Sequence, residues 1–128
     1  MAIKKGPMFV ALTWCGRAVT KNRMHTPANG RIIKTAEYRK FLADLAMSWR
    51  GRRPPVPLRP YVAEVTVCVG KLTDPQNLVF LILDALELAK IVEKDRYLAR
   101  LTLDVRPAHG RGVADQIEVL VYQPEKAT

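Results

Sequence analysis

The sequence predicts an α+β fold: one domain over residues 1–128, elements in the order β-α-β-α-β-β, and two helices packed on a mostly antiparallel four-stranded sheet. Three observations predict it. Apolar and polar residues alternate with period two through Tyr61–Val69, Leu101–Arg106 and Ile117–Val121, the pattern of half-buried strands. One other stretch, Ala36 to Trp49, spaces its apolar residues as a helix does, and an Asp-Pro start opens a second helix at Pro75. Clusters of Pro and Gly separate these periodic segments.

Taken in order, Met8 to Trp14 reads as a short first strand. The stretch "CGRAVTKNRMHTPANGR" that follows reads as a long irregular connection, of the length that in a compact domain is usually functional or disordered. Thr35 is the expected N-cap of a helix whose apolar face is Ala36, Tyr38, Phe41, Leu42, Leu45, Ala46 and Trp49. The prolines of "GRRPPVPLRP" end it. In the second strand Val65, Val67 and Val69 share one face and Glu64, Thr66 and Cys68 the other. Asp74 as N-cap and Pro75 at the first helical position start a second helix that runs to about Lys90. Leu101, Leu103 and Val105 mark the third strand, "PAHGRG" a turn, and Ile117, Val119 and Val121 the fourth strand. No internal repeat or low-complexity segment interrupts this order.

Lys and Arg outnumber Asp and Glu by 21 to 12, a formal charge of +9. That excess favours a polyanionic partner, nucleic acid first and an anionic membrane second, and it does not suggest a small-molecule substrate. The longest apolar run, Leu78 to Leu83, is far short of the roughly 20 residues of a membrane span, so no membrane insertion is expected. The start "MAIKKGPMFVAL" has no signal-peptide pattern. Cys15 and Cys68 have no metal-ligand spacing with each other or with His25 and His109. Reduced thiols and a cytoplasmic location are the expectation.

Against that basic background the acids of "TDPQNLVFLILDAL" stand out. An unpaired carboxylate on an apolar helix costs several kcal/mol, roughly. Asp84 is therefore expected to be hydrogen-bonded, paired with Arg or Lys, or turned to a wet cleft. Ten helical residues at about 1.5 Å each separate it from Asp74 by about 15 Å, too far to share one ion. Asn77, one turn after Asp74, can point back to the same helix end, and the next acids are Glu93 and Asp95. A Mg²⁺ site needs only one or two carboxylates, with water and phosphate oxygens completing its shell. Asp74 with Asp95 suffices where the fold brings them together, with Mn²⁺ as an alternative ion. Arg17, Lys21, Arg23, Arg31 and Lys71 are the candidates for gripping phosphates.

The order Asp74, Asn77-Leu78, Asp84-Ala85-Leu86 and Asp95 resembles the RusA family of Holliday-junction resolvases. The likeness extends to the early strand with its basic, Asn-containing loop, the helix through "TAEYRKFLADLA" and the closing hairpin across "HGRG". It implies a small homodimeric endonuclease that binds four-way DNA junctions and nicks two strands symmetrically with Mg²⁺. On the matching positions Asp74 is the first acid and Asp95 the last, while Asn77 and Asp84 are motif residues without an assigned role. Gln76 stands where the family pattern has a second acid, and Phe80 where it has a lysine.

Those two departures keep a second reading in play, a DNA-binding protein on the same fold that has lost its chemistry. A third is a basic RNA-binding protein whose acids are structural. The homodimer has an independent motive. Apolar residues wrap nearly the whole second helix, which is therefore expected to be buried all round, more than one small chain readily covers.

Overall fold

Alternation of period two decides where the sheet lies and which way it faces. Along Tyr61–Val69 (β4), Ala63, Val65, Val67 and Val69 are buried in the common core while Glu64, Thr66 and Cys68 are half-buried on the other face. The structure is a computed structural model, and it describes residues 5–16, 25–28, 31–69, 75–94, 97–107 and 114–124. Around β4 stand β1 (Lys5–Gly16), β2 (His25–Ala28), β3 (Arg31–Lys34), α1 (Ala36–Trp49), α2 (Pro75–Leu88), β5 (Leu98–Pro107) and β6 (Asp115–Pro124). A 3₁₀ turn, Arg50–Arg52, follows α1.

The four long strands form one sheet in the order β1-β6-β4-β5. β6 pairs antiparallel with both β1 and β4, whereas β4 and β5 run parallel. The α+β class and the order β-α-β-α-β-β therefore hold for the main sheet, but β4 separates β5 from β6, so the expected closing hairpin across "HGRG" is not formed. The long connection after β1 is less irregular than its composition suggests. It contains the hairpin β2–β3, paired from His25↔Lys34 to Ala28↔Arg31. Its signal is the Asn29-Gly30 dipeptide between the two strands, the commonest two-residue hairpin sequence.

Both helices contribute to one core on a single face of the sheet. Leu12, Ala63, Val65, Val67, Ile117, Val119 and Val121 share it with Tyr38, Phe41, Leu45 and Trp49 of α1 and Leu78, Leu81, Ile82 and Leu86 of α2. Thr35 caps α1 as expected: its Oγ1 accepts the Tyr38 amide at 3.1 Å. At the other end of α1 the Trp49 indole Nε1 donates to the Thr13 carbonyl at 3.1 Å, and the Trp14 ring stacks on Phe41 at 4.9 Å. The helix is thereby tied to β1 by both a polar and an aromatic contact.

α2 departs from the expectation that it is buried all round. Leu78, Val79, Leu81, Ile82, Ala85 and Leu86 are buried, yet Phe80 is 63% and Leu88 45% exposed. The two lie eight residues apart, about two turns along the helix, with the half-buried Asp84 between them. A four-stranded sheet can cover only one side of a helix. On β5 the apolar residues Leu101 and Val105 are also exposed, at 38% and 47%.

The end of α2 is a Schellman motif. The Lys90 amide bonds the Glu87 carbonyl at 3.1 Å and the Ile91 amide bonds the Leu86 carbonyl at 3.0 Å. That closure puts Lys90 in the left-handed region, at φ 63°, where a Cβ is strained. Lys90→Gly relieves the strain and is expected to raise stability by about 0.5–1 kcal/mol after the unfolded-state entropy of glycine is counted. Urea unfolding followed by circular dichroism measures it; an unchanged or lower midpoint contradicts it.

Candidate nucleic-acid interface

The strand register collects several chain ends at one edge of the sheet. Gly16 pairs with Asp115, Cys68 with Gln116, and Val69 with Pro107. The chain thus leaves β1, β4 and β5, and enters β6, along one row. The sequence attached to Gly16 carries Arg17, Lys21 and Arg23, and the sequence attached to Val69 carries Lys71 and Asp74. These five residues lie outside the described residues, as does Asp95; what the register establishes is where their segments are anchored. Arg31 is the first residue of β3, and Gln76 belongs to the first turn of α2.

α2 sets the distance between the segments that carry the two candidate metal acids. Asp74 precedes Pro75, and Asp95 follows Lys94. At about 1.5 Å per residue the helix is about 21 Å long. Its C-terminal end is fixed beside the start of β4: the Leu58 amide bonds the Ile91 carbonyl at 3.0 Å, and the Glu93 amide bonds the Leu58 carbonyl at 3.1 Å. Glu93, the other nearby acid, is engaged by Arg59, whose Nε lies 3.2 Å from Glu93 Oε2 and whose guanidinium sits over the Tyr97 ring. Among the described residues no three His, Cys, Asp or Glu side chains gather as a metal-binding group.

Asp84 is hydrogen-bonded, the first of the three expected alternatives, and its partner is a tyrosine. The Tyr38 hydroxyl of α1 donates to Asp84 Oδ2 at 3.1 Å, joining the two helices above the core. Burial first, then the nearby Asp84 carboxylate, push the Tyr38 phenol well above the usual tyrosine range. Asp84 is a structural acid in this arrangement. Asn77 is half-buried in the first turn of α2, and the exposed Phe80 lies one turn beyond Gln76.

At the same end of the sheet as the row of chain ends lies an open cavity of about 690 Å³, which reaches round to Ser48 of α1. Thr13, Cys15, Gln116, Glu118, Cys68 and Arg106 line it. Cys15 and Cys68 both stand opposite Gln116, on its two sides. Two strand spacings separate them, about 9.6 Å, which is too far for a disulfide. Both cysteines are free.

No protein-family model matches the chain, and a search of curated proteins found no match either.

The Tyr38–Asp84 contact predicts two outcomes. Tyr38→Phe and Asp84→Asn should each lower stability, by about 1–2 kcal/mol for the first, because a half-buried carboxylate loses a donor. The second follows from proton linkage. The folded phenol holds its proton above the ordinary pKa of about 10, so its stabilisation is complete below that pH and is lost as pH rises beyond it. Thermal melts between pH 7 and 11 should show an alkaline fall in wild type that is shallower in Tyr38→Phe; parallel curves would contradict the assignment.

Proposed function

We propose that this protein is a Mg²⁺-dependent endonuclease of branched DNA, four-way junctions first, working as a homodimer. The observation that carries the reading is the shared row of chain ends. It anchors the segments bearing Arg17, Lys21, Arg23 and Lys71 at the same edge of the sheet as the segment that bears Asp74. A junction is recognised through its backbone and shape, which calls for several cations around an acidic centre rather than base-reading side chains. The excess of 21 basic over 12 acidic residues supports the same partner.

The carboxylate oxygens of Asp74 and Asp95 and the amide oxygen of Asn77 suit a hard, oxygen-preferring cation. Such an ion, when bound, polarises a phosphoryl oxygen and lowers the pKa of a water. The basic residues orient the phosphodiester and offset the charge that develops on it. In one chain the helix Pro75–Leu88, about 21 Å long, lies between the segments that carry Asp74 and Asp95. In this reading each site is completed between chains, Asp74 from one and Asp95 of the partner subunit.

Gln76 in place of a second acid, together with an exposed Phe80 where the resemblance has a lysine, favours a second reading. In it the protein binds branched DNA without cutting it.

Asp74→Asn and Asp95→Asn should each reduce junction cleavage roughly 100-fold or more, while gel-shift affinity for the junction is kept. Mixed dimers of the two variants contain one intact site in the between-chain arrangement and none in the within-chain one. Recovery of single-strand nicking on mixing supports the former; silence of the mixture excludes it. Gln76→Asp should lower the Mg²⁺ concentration giving half-maximal rate. Wild type that binds junctions but cuts none with Mg²⁺ or Mn²⁺ selects the second reading, and preference for RNA over junction in competition removes both.

A further inference from the structure

Among the described residues β5 is an end strand of the main sheet, with charges at Arg100, Asp104 and Arg106 but a regular pairing and little cover. Eight of its ten residues are exposed. Leu101 and Val105, opposite Ala63 and Val67, face the helix-bearing side of the sheet with 38% and 47% of their surface in water. The other end strand is managed differently. β1 has register shifts between Lys5 and Val10, its Lys5 ammonium lies over Tyr122, and the Trp49 indole occupies the Thr13 carbonyl. Irregular pairing, charge and covering side chains are the usual protections of an edge. β5 pairs with β4 without a break from Val62↔Arg100 to Val69↔Pro107, so its outer edge is long and regular.

We propose that β5 pairs antiparallel with β5 of a second copy, about a two-fold axis through Thr102, to join two sheets into one of eight strands. The occupant is argued from the sequence of the strand itself. A two-fold perpendicular to the sheet keeps each face on its own side, so residues of equal parity pair. With Thr102 opposite Thr102 of the partner subunit, Arg100 stands opposite Asp104 of the partner subunit, twice by symmetry. On the helix-bearing face Leu101 then meets Leu103 of the partner subunit. Shifting the centre one step to Leu103 would place Arg100 opposite the partner's Arg106, a like-charge contact. Asp104, which bonds Arg106 of its own strand at 3.1 Å, would gain a second cation.

The inference rests on the two-chain assembly of the proposed nuclease and assigns that assembly a surface. It also fits the between-chain site. Antiparallel β5 strands bring the Pro107 end of one chain, which shares a row with Val69, to the Leu98 end of its partner. Asp74 follows Val69 in the sequence and Asp95 precedes Leu98.

Sedimentation velocity of the full chain tests the surface without reference to cleavage. Wild type should be a dimer at ten-micromolar concentration. Arg100→Asp or Asp104→Arg should each raise the dimer dissociation constant roughly tenfold, because two attractive cross-strand pairs become repulsive, and the double variant should return towards wild type. Both positions are exposed, and unchanged melting of the variants at high dilution verifies that they fold. In a Cys15→Ser, Cys68→Ser background, Thr102→Cys oxidised with copper-phenanthroline should give a covalent dimer, and Met47→Cys, exposed on α1, should not. A dimer indifferent to both charge reversals and uncrosslinked through Thr102→Cys overturns the surface while leaving the nuclease reading intact. A strict monomer, on and off DNA, overturns both.

Discussion

The parallel pairing of β4 with β5 sets the layout of everything else. Parallel neighbours cannot be joined by a tight turn; the chain must return the length of the sheet before it can pair again. α2 is that return path, and its burial on Leu78, Leu81, Ile82 and Leu86 fixes it to the sheet. Its direction places the start of the helix and its end at opposite ends of the molecule. The two acids of the proposed metal pair flank those two ends in the sequence, so one hydrogen-bonding choice between strands bears on whether a single chain can hold both.

The same choice shapes the surface. With β6 inserted between β1 and β4, the sheet ends at β5 on one side, and no further strand among the described residues continues it. Apolar residues that alternate correctly for a sheet interior, Leu101 and Val105, are left at its border. The polar cross-links compensate elsewhere. Tyr38 with Asp84 holds α1 to α2, Trp49 with Thr13 holds α1 to β1, and Arg59 with Glu93 holds the approach to β4 against the exit from α2.

Periodicity makes the sheet and α1 legible, and the Asp74-Pro75 start makes α2 legible, because a period of two or of 3.6 residues and a helix start are local properties of the chain. The strand Tyr61–Val69 and the cap at Thr35 could be read for that reason. The β2–β3 hairpin is equally local, with its Asn29-Gly30 signal set among basic residues that also suit an irregular, phosphate-binding segment. Burial of α2 was not legible: the sequence records that Phe80 and Leu88 are apolar, but not how many strands lie beneath them. The partner of Asp84 lies 46 residues away in sequence, and no spacing rule selects one tyrosine over another. For the candidate site, residue types could be read from the motif, whereas the chain that supplies each acid depends on the topology.

The pairing of β1 with β6 bears on how the protein is made. Residues 5–16 find their only sheet neighbour among the described residues in residues 115–124, nearly the whole described chain away. The unit β4–α2–β5 is local in sequence and can assemble as it emerges from the ribosome, but β1 has nothing to pair with until β6 arrives between them. At translation rates of about 5–20 residues per second, that interval is on the order of 5–20 s. Throughout it Leu12 and Trp14 wait without their sheet, and closure of the long-range ladder, rather than formation of either helix, is the slow step that such a topology imposes.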